Sequence, residues 1–257
     1  MPNCRICAST TGFIKAHVIP EAFFRELRED QVAPLLVAGA NREGIKRSPI
    51  GVYDPELLCS GCESRFLQWD TYGTEKLLTR FDDYFKPLVA GGRVVAHEAA
   101  EIDKLEILDF LVSVLWRASV SNHPFYDTVN LGPYEHRVLT QMLVDRGCAP
   151  DSFDAVLSRW MDDDDETLPT TSLMNPHREK WGEVNAYRLY LGKIVAYVRV
   201  DQRSFSPPFS NLSLRALGPC RVISRRLAAS KDLNAMQKTV AAAERNRQEF
   251  KCRRGAA

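Results

Sequence analysis

Two pairs of closely spaced cysteines constrain this chain more than any other sequence feature. Cys4 and Cys7 form the first C-x-x-C pair, and Cys59 and Cys62 form the second. A two-residue spacer lets both thiolates of a pair reach the same ion, and two such pairs complete a tetrahedron around Zn²⁺. The alternative is that all four are ordinary core cysteines. We predict a structural zinc site, because clustered thiols in a reducing compartment are better explained by metal than by disulfides.

Length and charge place further limits on the function. The chain has 257 residues, of which 45% are hydrophobic and 26% are charged, as in an ordinary folded protein. Its net charge of +1 provides no long-range attraction to a polyanion, so a nucleic-acid surface would have to be a local basic patch. The first residues lack the pattern of a signal peptide, and no apolar run is long enough to span a membrane. We therefore expect a cytoplasmic protein that does not contact membranes.

A strand and a helix are predicted directly after the first cysteine pair. Residues 13–19 have the apolar character of a strand, which ends at Pro20. Proline suits the first position of a helix because it has no N–H to lose there, and Glu21 faces the positive end of the helix dipole. This helix is predicted over residues 21–28. His17 therefore lies at a junction between a strand and a helix.

A second helix is predicted to begin at the second cysteine pair and to continue through residues 63–70. Glu63 directly follows the zinc ligand Cys62, so metal bonds would hold its carboxylate near the ion. Asp70 lies almost two helical turns further along, on the same face as Glu63. The two carboxylates are therefore candidates for one shared site.

This order of motifs resembles the zinc-containing HNH endonucleases, which have a treble-clef, ββα-metal core. The resemblance rests on a C-x-x-C pair, a strand that ends in a histidine followed by Ile-Pro and two phenylalanines, and a Leu-Leu-Cys-x-x-Cys motif that opens a helix. It covers about the first 75 residues of the chain. It implies a metal-dependent nuclease that acts on DNA, and by analogy an effector of defence against foreign DNA.

The resemblance also implies roles for individual residues. In that family the histidine at the end of the first strand is the general base, which here is His17. A residue just after the last cysteine holds the catalytic ion, and Glu63 occupies that position. The family has a second, acidic ligand just before the histidine, where this sequence has Ala16. The implied cofactors are a structural Zn²⁺ and a catalytic Mg²⁺ or Mn²⁺.

The same residues suit phosphodiester cleavage on chemical grounds. Cleavage needs a base with a pKa near neutral pH and a hard cation that stabilises charge on the phosphate. His17 suits the first role, whereas Glu63 and Asp70 offer the oxygen ligands that Mg²⁺ prefers. Each residue also has a simpler alternative. His17 can pack against the zinc knuckle, Glu63 can stabilise a helix N-terminus, and Asp70 can be a solvated helix residue.

The complete chain is predicted to be α+β, with a helical middle between the zinc lobe and a small C-terminal antiparallel sheet plus helix. Residues 103–121 are apolar on nearly every face and predict a buried central helix, within which Arg117 must find an acidic or backbone partner. A further helix is predicted at residues 153–161. The sheet and its closing helix are predicted over residues 185–200, 220–224 and 233–250.

Two domains follow from this pattern: a zinc-binding, HNH-like domain at residues 1–90 and a helical and α+β domain at residues 91–257. The acidic run at residues 162–166 is interpreted as a solvated loop, because consecutive acids point in different directions. The basic tail at residues 251–254 is interpreted as a solvated helix end that is also able to contact a phosphate backbone.

The leading functional hypothesis is an HNH-like, metal-dependent nuclease whose partner is DNA. The alternative is a non-catalytic zinc module that binds nucleic acid or a partner protein, and a third is a regulatory subunit that needs another chain. Ala16 favours the alternatives, whereas the joint presence of His17, Glu63 and Asp70 favours the nuclease. The sequence leaves the oligomeric state open: an exposed hairpin edge would offer an interface for a homodimer, and a partner protein is the alternative.

Overall fold

The computed structural model describes residues 2–27, 33–37, 45–48, 50–161, 172–228, 230–234 and 236–239, together with residues 241 and 245. Within these residues the protein is a mixed α/β structure with a seven-stranded sheet and several helices. The helices are α1 (Glu21–Glu26), α2 (Ser60–Glu63), α3 (Leu67–Thr74), α4 (Phe81–Tyr84), α5 (Lys104–Val120) and α6 (Pro133–Val138). Short 3-10 or π-helical turns occupy Ser64–Phe66, Glu75–Thr79, Pro124–Tyr126, Leu139–Val144 and Phe209–Asn211.

The strands form one large sheet and two small ones. They are β1 (Ala16–His17), β2 (Leu35–Val37), β3 (Ile45–Arg47), β4 (Tyr53–Asp54), β5 (Lys86–Ala90), β6 (Arg93–Ala99), β7 (Phe153–Trp160), β8 (Ser172–Met174), β9 (His177–Trp181), β10 (Val184–Leu191), β11 (Ile194–Val200) and β12 (Cys220–Arg225). The large sheet has the order β5-β6-β12-β7-β11-β10-β9. One small sheet pairs β1 with β4, and the other has the order β3-β2-β8.

The large sheet confirms part of the prediction and corrects the rest. The expected hairpin is present as β10 and β11, which are joined at Gly192 and Lys193, and the expected later strand is present as β12. The sheet is not small and not purely antiparallel. The β5-β6 hairpin extends one edge, and β12 pairs with β7 in parallel.

The helix predicted at residues 153–161 is wrong, because Phe153–Trp160 forms strand β7. This strand lies between β12 and β11, and every residue in it except Arg159 is buried. A strand covered on both faces loses the alternation of polar and apolar residues, so periodicity does not distinguish it from a buried helix.

The described part of the C-terminal segment begins as predicted. Residues 231–234 and 236–239 are helical, in agreement with the start of the closing helix. The acidic run at residues 162–166 and the basic tail at residues 251–254 lie outside the described residues. The domain division after residue 90 stays a prediction, although the β5-β6 hairpin crosses that position.

Helix α5 is the buried central helix that the sequence predicts. The Asp103 carboxylate caps it by accepting hydrogen bonds from the amides of Leu105 and Glu106, at 2.9 and 3.2 Å. Every residue from Ile107 to Ala118 is buried, since α3 and α6 pack against the helix and β7 and β11 of the large sheet also contact it. Among the residues described, no helix combines the length and the apolarity that a membrane span requires.

Helices α3 and α5 approach each other closely at a glycine. A Cβ atom placed on Gly73 would lie 2.3 Å from Cδ1 of Phe110, whose ring is fully buried. No larger side chain fits there without moving that ring. Gly73 therefore fixes how closely the helix that carries Asp70 approaches the helix that carries Arg117.

We predict that Gly73→Ala lowers the free energy of unfolding by about 1–3 kcal/mol, because the added methyl group overpacks the core. The matched control is Gly61→Ala, which is also helical but has no atom within 4 Å of the new Cβ. Helix propensity alone predicts no loss of stability in the control. Chemical denaturation measures both variants, and equal stabilities would contradict the close approach.

Candidate metal centre and histidine site

The structure brings the four predicted zinc ligands together. One ligand atom from each of Cys4, Cys7, Cys59 and Cys62 lies within 4.8 Å of all the others, and the sulfurs of Cys7 and Cys59 are 3.6 Å apart. Four sulfurs bound to one tetrahedral Zn²⁺ stand about 3.8 Å from each other, given a Zn–S bond of about 2.3 Å. The cluster can therefore hold a metal ion such as zinc.

Backbone hydrogen bonds and a β-bridge position the two cysteine pairs. The first pair lies in a tight turn, where the Cys4 amide donates to the Ser9 carbonyl at 2.8 Å. The second pair opens α2, where the amides of Cys62 and Glu63 both donate to the Cys59 carbonyl at 3.0 Å. A β-bridge between Phe13 and Cys59 connects the two turns.

The environment of the sulfurs suits a cation. Burial raises the pKa of the Cys4 thiol, but backbone amides of Cys7, Cys59 and Ile6 more than offset this and lower the pKa to about 6. Burial and the neighbouring cysteine sulfurs raise the pKa of the Cys62 thiol. One thiolate is thus stabilised by the chain, whereas bringing four of them together requires positive charge between them.

We predict that Cys59→Ser removes bound zinc and destabilises the fold together, because a structural zinc site contributes directly to folding free energy. The control is Cys148→Ser, which changes an exposed thiol outside the cluster. Metal analysis by mass spectrometry and thermal unfolding measure the two effects. One zinc per chain is expected in the wild type and in the control, and an unchanged zinc content in Cys59→Ser would contradict the site.

The side chain of His17 is held by a backbone carbonyl. Its Nε2 lies 2.9 Å from the carbonyl oxygen of Ile50. A carbonyl oxygen only accepts, so Nε2 carries the proton and the lone pair of the neutral ring is on Nδ1. The ring is half-buried and packs edge-on against Tyr53, with the ring centroids 5.9 Å apart. Both the orientation and the tautomer of the base candidate are therefore set by the fold.

Asp70 pairs with a buried arginine. The two carboxylate oxygens accept hydrogen bonds from Nη1 and Nη2 of Arg117, at 2.8 and 2.5 Å. The Arg117 side chain is fully buried, and its Nη1 also donates to the His17 carbonyl at 2.9 Å. This confirms that Arg117 finds both an acidic and a backbone partner. Both Asp70 oxygens are therefore engaged by a structural partner, and the side chain is only partly exposed.

Glu63 keeps an oxygen that the described residues do not satisfy. Its Oε2 is buried and has no hydrogen-bond partner among them. Burial raises the pKa of the Glu63 carboxyl, while the charge of Arg117 opposes that rise and the charge of Asp70 adds to it. The guanidinium of Arg117 thus interacts with both predicted carboxylates and with the backbone of the predicted base.

Asp54 is a residue whose role the sequence did not reveal. It lies directly opposite Ala16 in the β1-β4 pair, so the two side chains share a face. Its two carboxylate oxygens accept hydrogen bonds from the Ser121 hydroxyl and from the amides of Asn122 and Glu56. Asp54 therefore anchors the end of α5. Its partners are distant in sequence, so no local pattern predicts this role.

Comparisons with known proteins do not assign the site. A scan with protein-family models, a search of curated proteins and a search of solved structures each found no match. The function must therefore be inferred from the chemistry of the four cysteines and of His17.

We predict that Asp70→Asn lowers the free energy of unfolding by about 3–5 kcal/mol, because it removes the carboxylate charge that is hydrogen-bonded to the buried guanidinium of Arg117. The control is Glu21→Gln, which breaks the exposed ion pair with Arg25. A surface pair of this kind contributes about 0–1 kcal/mol. Urea denaturation compares the variants, and a similar small loss in both would show that the buried pair is not needed.

Proposed function

We propose that the protein is an HNH-like nuclease that hydrolyses phosphodiester bonds in DNA, with His17 as the general base. The observation that carries this proposal is the hydrogen bond from Nε2 of His17 to the Ile50 carbonyl. It leaves Nδ1 with a basic lone pair on a ring whose orientation is fixed. The order of a cysteine pair, a strand, a second cysteine pair and a helix supports the treble-clef, ββα-metal assignment.

His17 acts on the water that attacks the phosphorus. Nδ1 accepts one proton from the water, and the resulting hydroxide forms the new P–O bond. The bond to the leaving oxygen then breaks, and that oxygen takes a proton from solvent. The imidazolium is formed on a ring that already donates from Nε2 to Ile50, so the ring does not need to turn during the step.

The residues fit a catalytic cation that has a single carboxylate ligand from this chain. Mg²⁺ commonly keeps several waters and binds proteins through one or two carboxylates. Glu63 would hold the cation through its buried Oε2, whereas Ala16 has no ligand atom and Asp70 is held by Arg117. When bound, Mg²⁺ or Mn²⁺ supplies charge stabilisation on the phosphate and the leaving oxygen.

The second candidate is a non-catalytic zinc module that binds nucleic acid or a partner protein. The bidentate pair between Arg117 and Asp70 favours it, because this pair gives one of the two predicted carboxylates a structural role. A cleft of about 440 Å³ beside Arg5 of the first knuckle, between the end of α5 and α6, offers such a module a binding surface.

We predict that the protein cuts supercoiled plasmid with added Mg²⁺ or Mn²⁺, and that His17→Ala lowers the rate by about 10²–10⁴-fold through loss of the base. His177→Gln is the control, since His177 lies on the edge strand β9 of the large sheet and does not line the cleft beside Arg5. A parallel assay with single-stranded RNA tests the preference for DNA. Failure of the folded, zinc-loaded protein to cut, or equal cutting by His17→Ala, would contradict the nuclease and favour the binding module.

A further inference from the structure

Two side chains, Lys15 and Tyr53, form one cluster with the base candidate His17. The ammonium of Lys15 lies 5.1 Å from the centroid of the Tyr53 ring, and the His17 ring centroid lies 5.9 Å from the same point. We call these residues the Lys15-Tyr53-His17 cluster. Lys15 lies in a turn just before β1, where the Ala16 amide donates to the Ile14 carbonyl at 2.9 Å. The Tyr53 ring contacts both Lys15 and His17.

His17 and Tyr53 lie on one face of the β1-β4 pair, and Lys15 directly precedes β1. His17 is paired with Tyr53, and Ala16 is paired with Asp54. Neighbouring residues on a strand point to opposite faces, so the Asp54 face binds the end of α5 while the Tyr53 face is directed away from it. Lys15 is exposed and Tyr53 is half-buried. The surface is thus accessible and also supported by packed strands.

The charge of Lys15 is available to an anion. Among the residues that the structure describes, its ammonium contacts the Tyr53 ring and forms no ion pair with an acidic side chain. A lysine of this kind contributes one phosphate contact and releases one condensed counterion when it binds nucleic acid. An aromatic ring beside it offers a stacking surface that accepts any base.

We propose that the Lys15-Tyr53-His17 cluster is the subsite for a single-stranded segment of DNA, with a phosphate on Lys15 and a base stacked on Tyr53. A duplex keeps its bases stacked on each other, so a base reaches Tyr53 only from an unpaired strand. A strand held in this way runs alongside the His17 ring. The inference rests on the proposed function and adds to it how the substrate is held.

Binding measured without cleavage tests the subsite. Fluorescence anisotropy follows a labelled single-stranded DNA oligonucleotide at several salt concentrations, in buffer without added Mg²⁺ or Mn²⁺. Lys15→Gln is expected to weaken binding and to reduce the slope of log affinity against log salt by about 0.7, the value for one lost contact to a single strand. Tyr53→Leu is expected to weaken binding by about five- to a hundredfold with the slope unchanged, and Tyr53→Phe to retain binding.

The control is Lys180→Gln, which removes an exposed lysine on the edge strand β9. It is expected to leave both affinity and slope unchanged. An unchanged slope in Lys15→Gln, an equal loss in Lys180→Gln, or no binding by the wild type would overturn the subsite. Binding that depends on Lys15 and Tyr53 without any cutting of DNA would support the subsite and contradict the nuclease. Cutting that depends on His17 but not on Lys15 would do the reverse.

Discussion

The arrangement of the candidate site depends on one buried cation, the guanidinium of Arg117. Taking a charge out of water is so costly that it persists only where oppositely charged and polar groups surround it. Arg117 meets this requirement through Asp70 on α3 and the His17 carbonyl on β1, and it stacks 4.6 Å from the Phe66 ring centroid. One side chain on the central helix therefore ties together the segments that carry the predicted base and the predicted carboxylates.

The four cysteines and Arg117 fix different parts of the candidate site. The cysteine cluster brings the start of the chain next to the start of α2. It thereby positions the segment that leads to His17 relative to the helix that carries Glu63. Arg117 then fixes this lobe against the core of the protein. The two carboxylates therefore differ: Asp70 pairs with Arg117, whereas Glu63 has one oxygen without a partner among the residues that the structure describes.

The sequence predicted those structural features whose geometry follows from residue spacing alone. The two C-x-x-C pairs predicted the cluster, and the uniformly apolar residues of α5 predicted both its burial and the need of Arg117 for a partner. Prediction from the sequence failed at Phe153–Trp160, where burial on both faces of β7 removed the strand pattern. It also did not anticipate that Asp70 pairs with Arg117, since a contact between two helices far apart in sequence has no local signal.

The proposed role of His17 as a base requires that Nε2 carries the proton and that Nδ1 keeps its lone pair. Nuclear magnetic resonance of protein labelled with ¹⁵N-histidine measures the position of the proton directly, at about pH 8, where an ordinary imidazole is neutral. We expect the His17 spectrum to show the proton on Nε2 and none on Nδ1, with Nε2 in the hydrogen bond to the Ile50 carbonyl. A proton on Nδ1, or rapid exchange between the two tautomers, would rule out this role, because the nitrogen that must accept a proton from water would not be available.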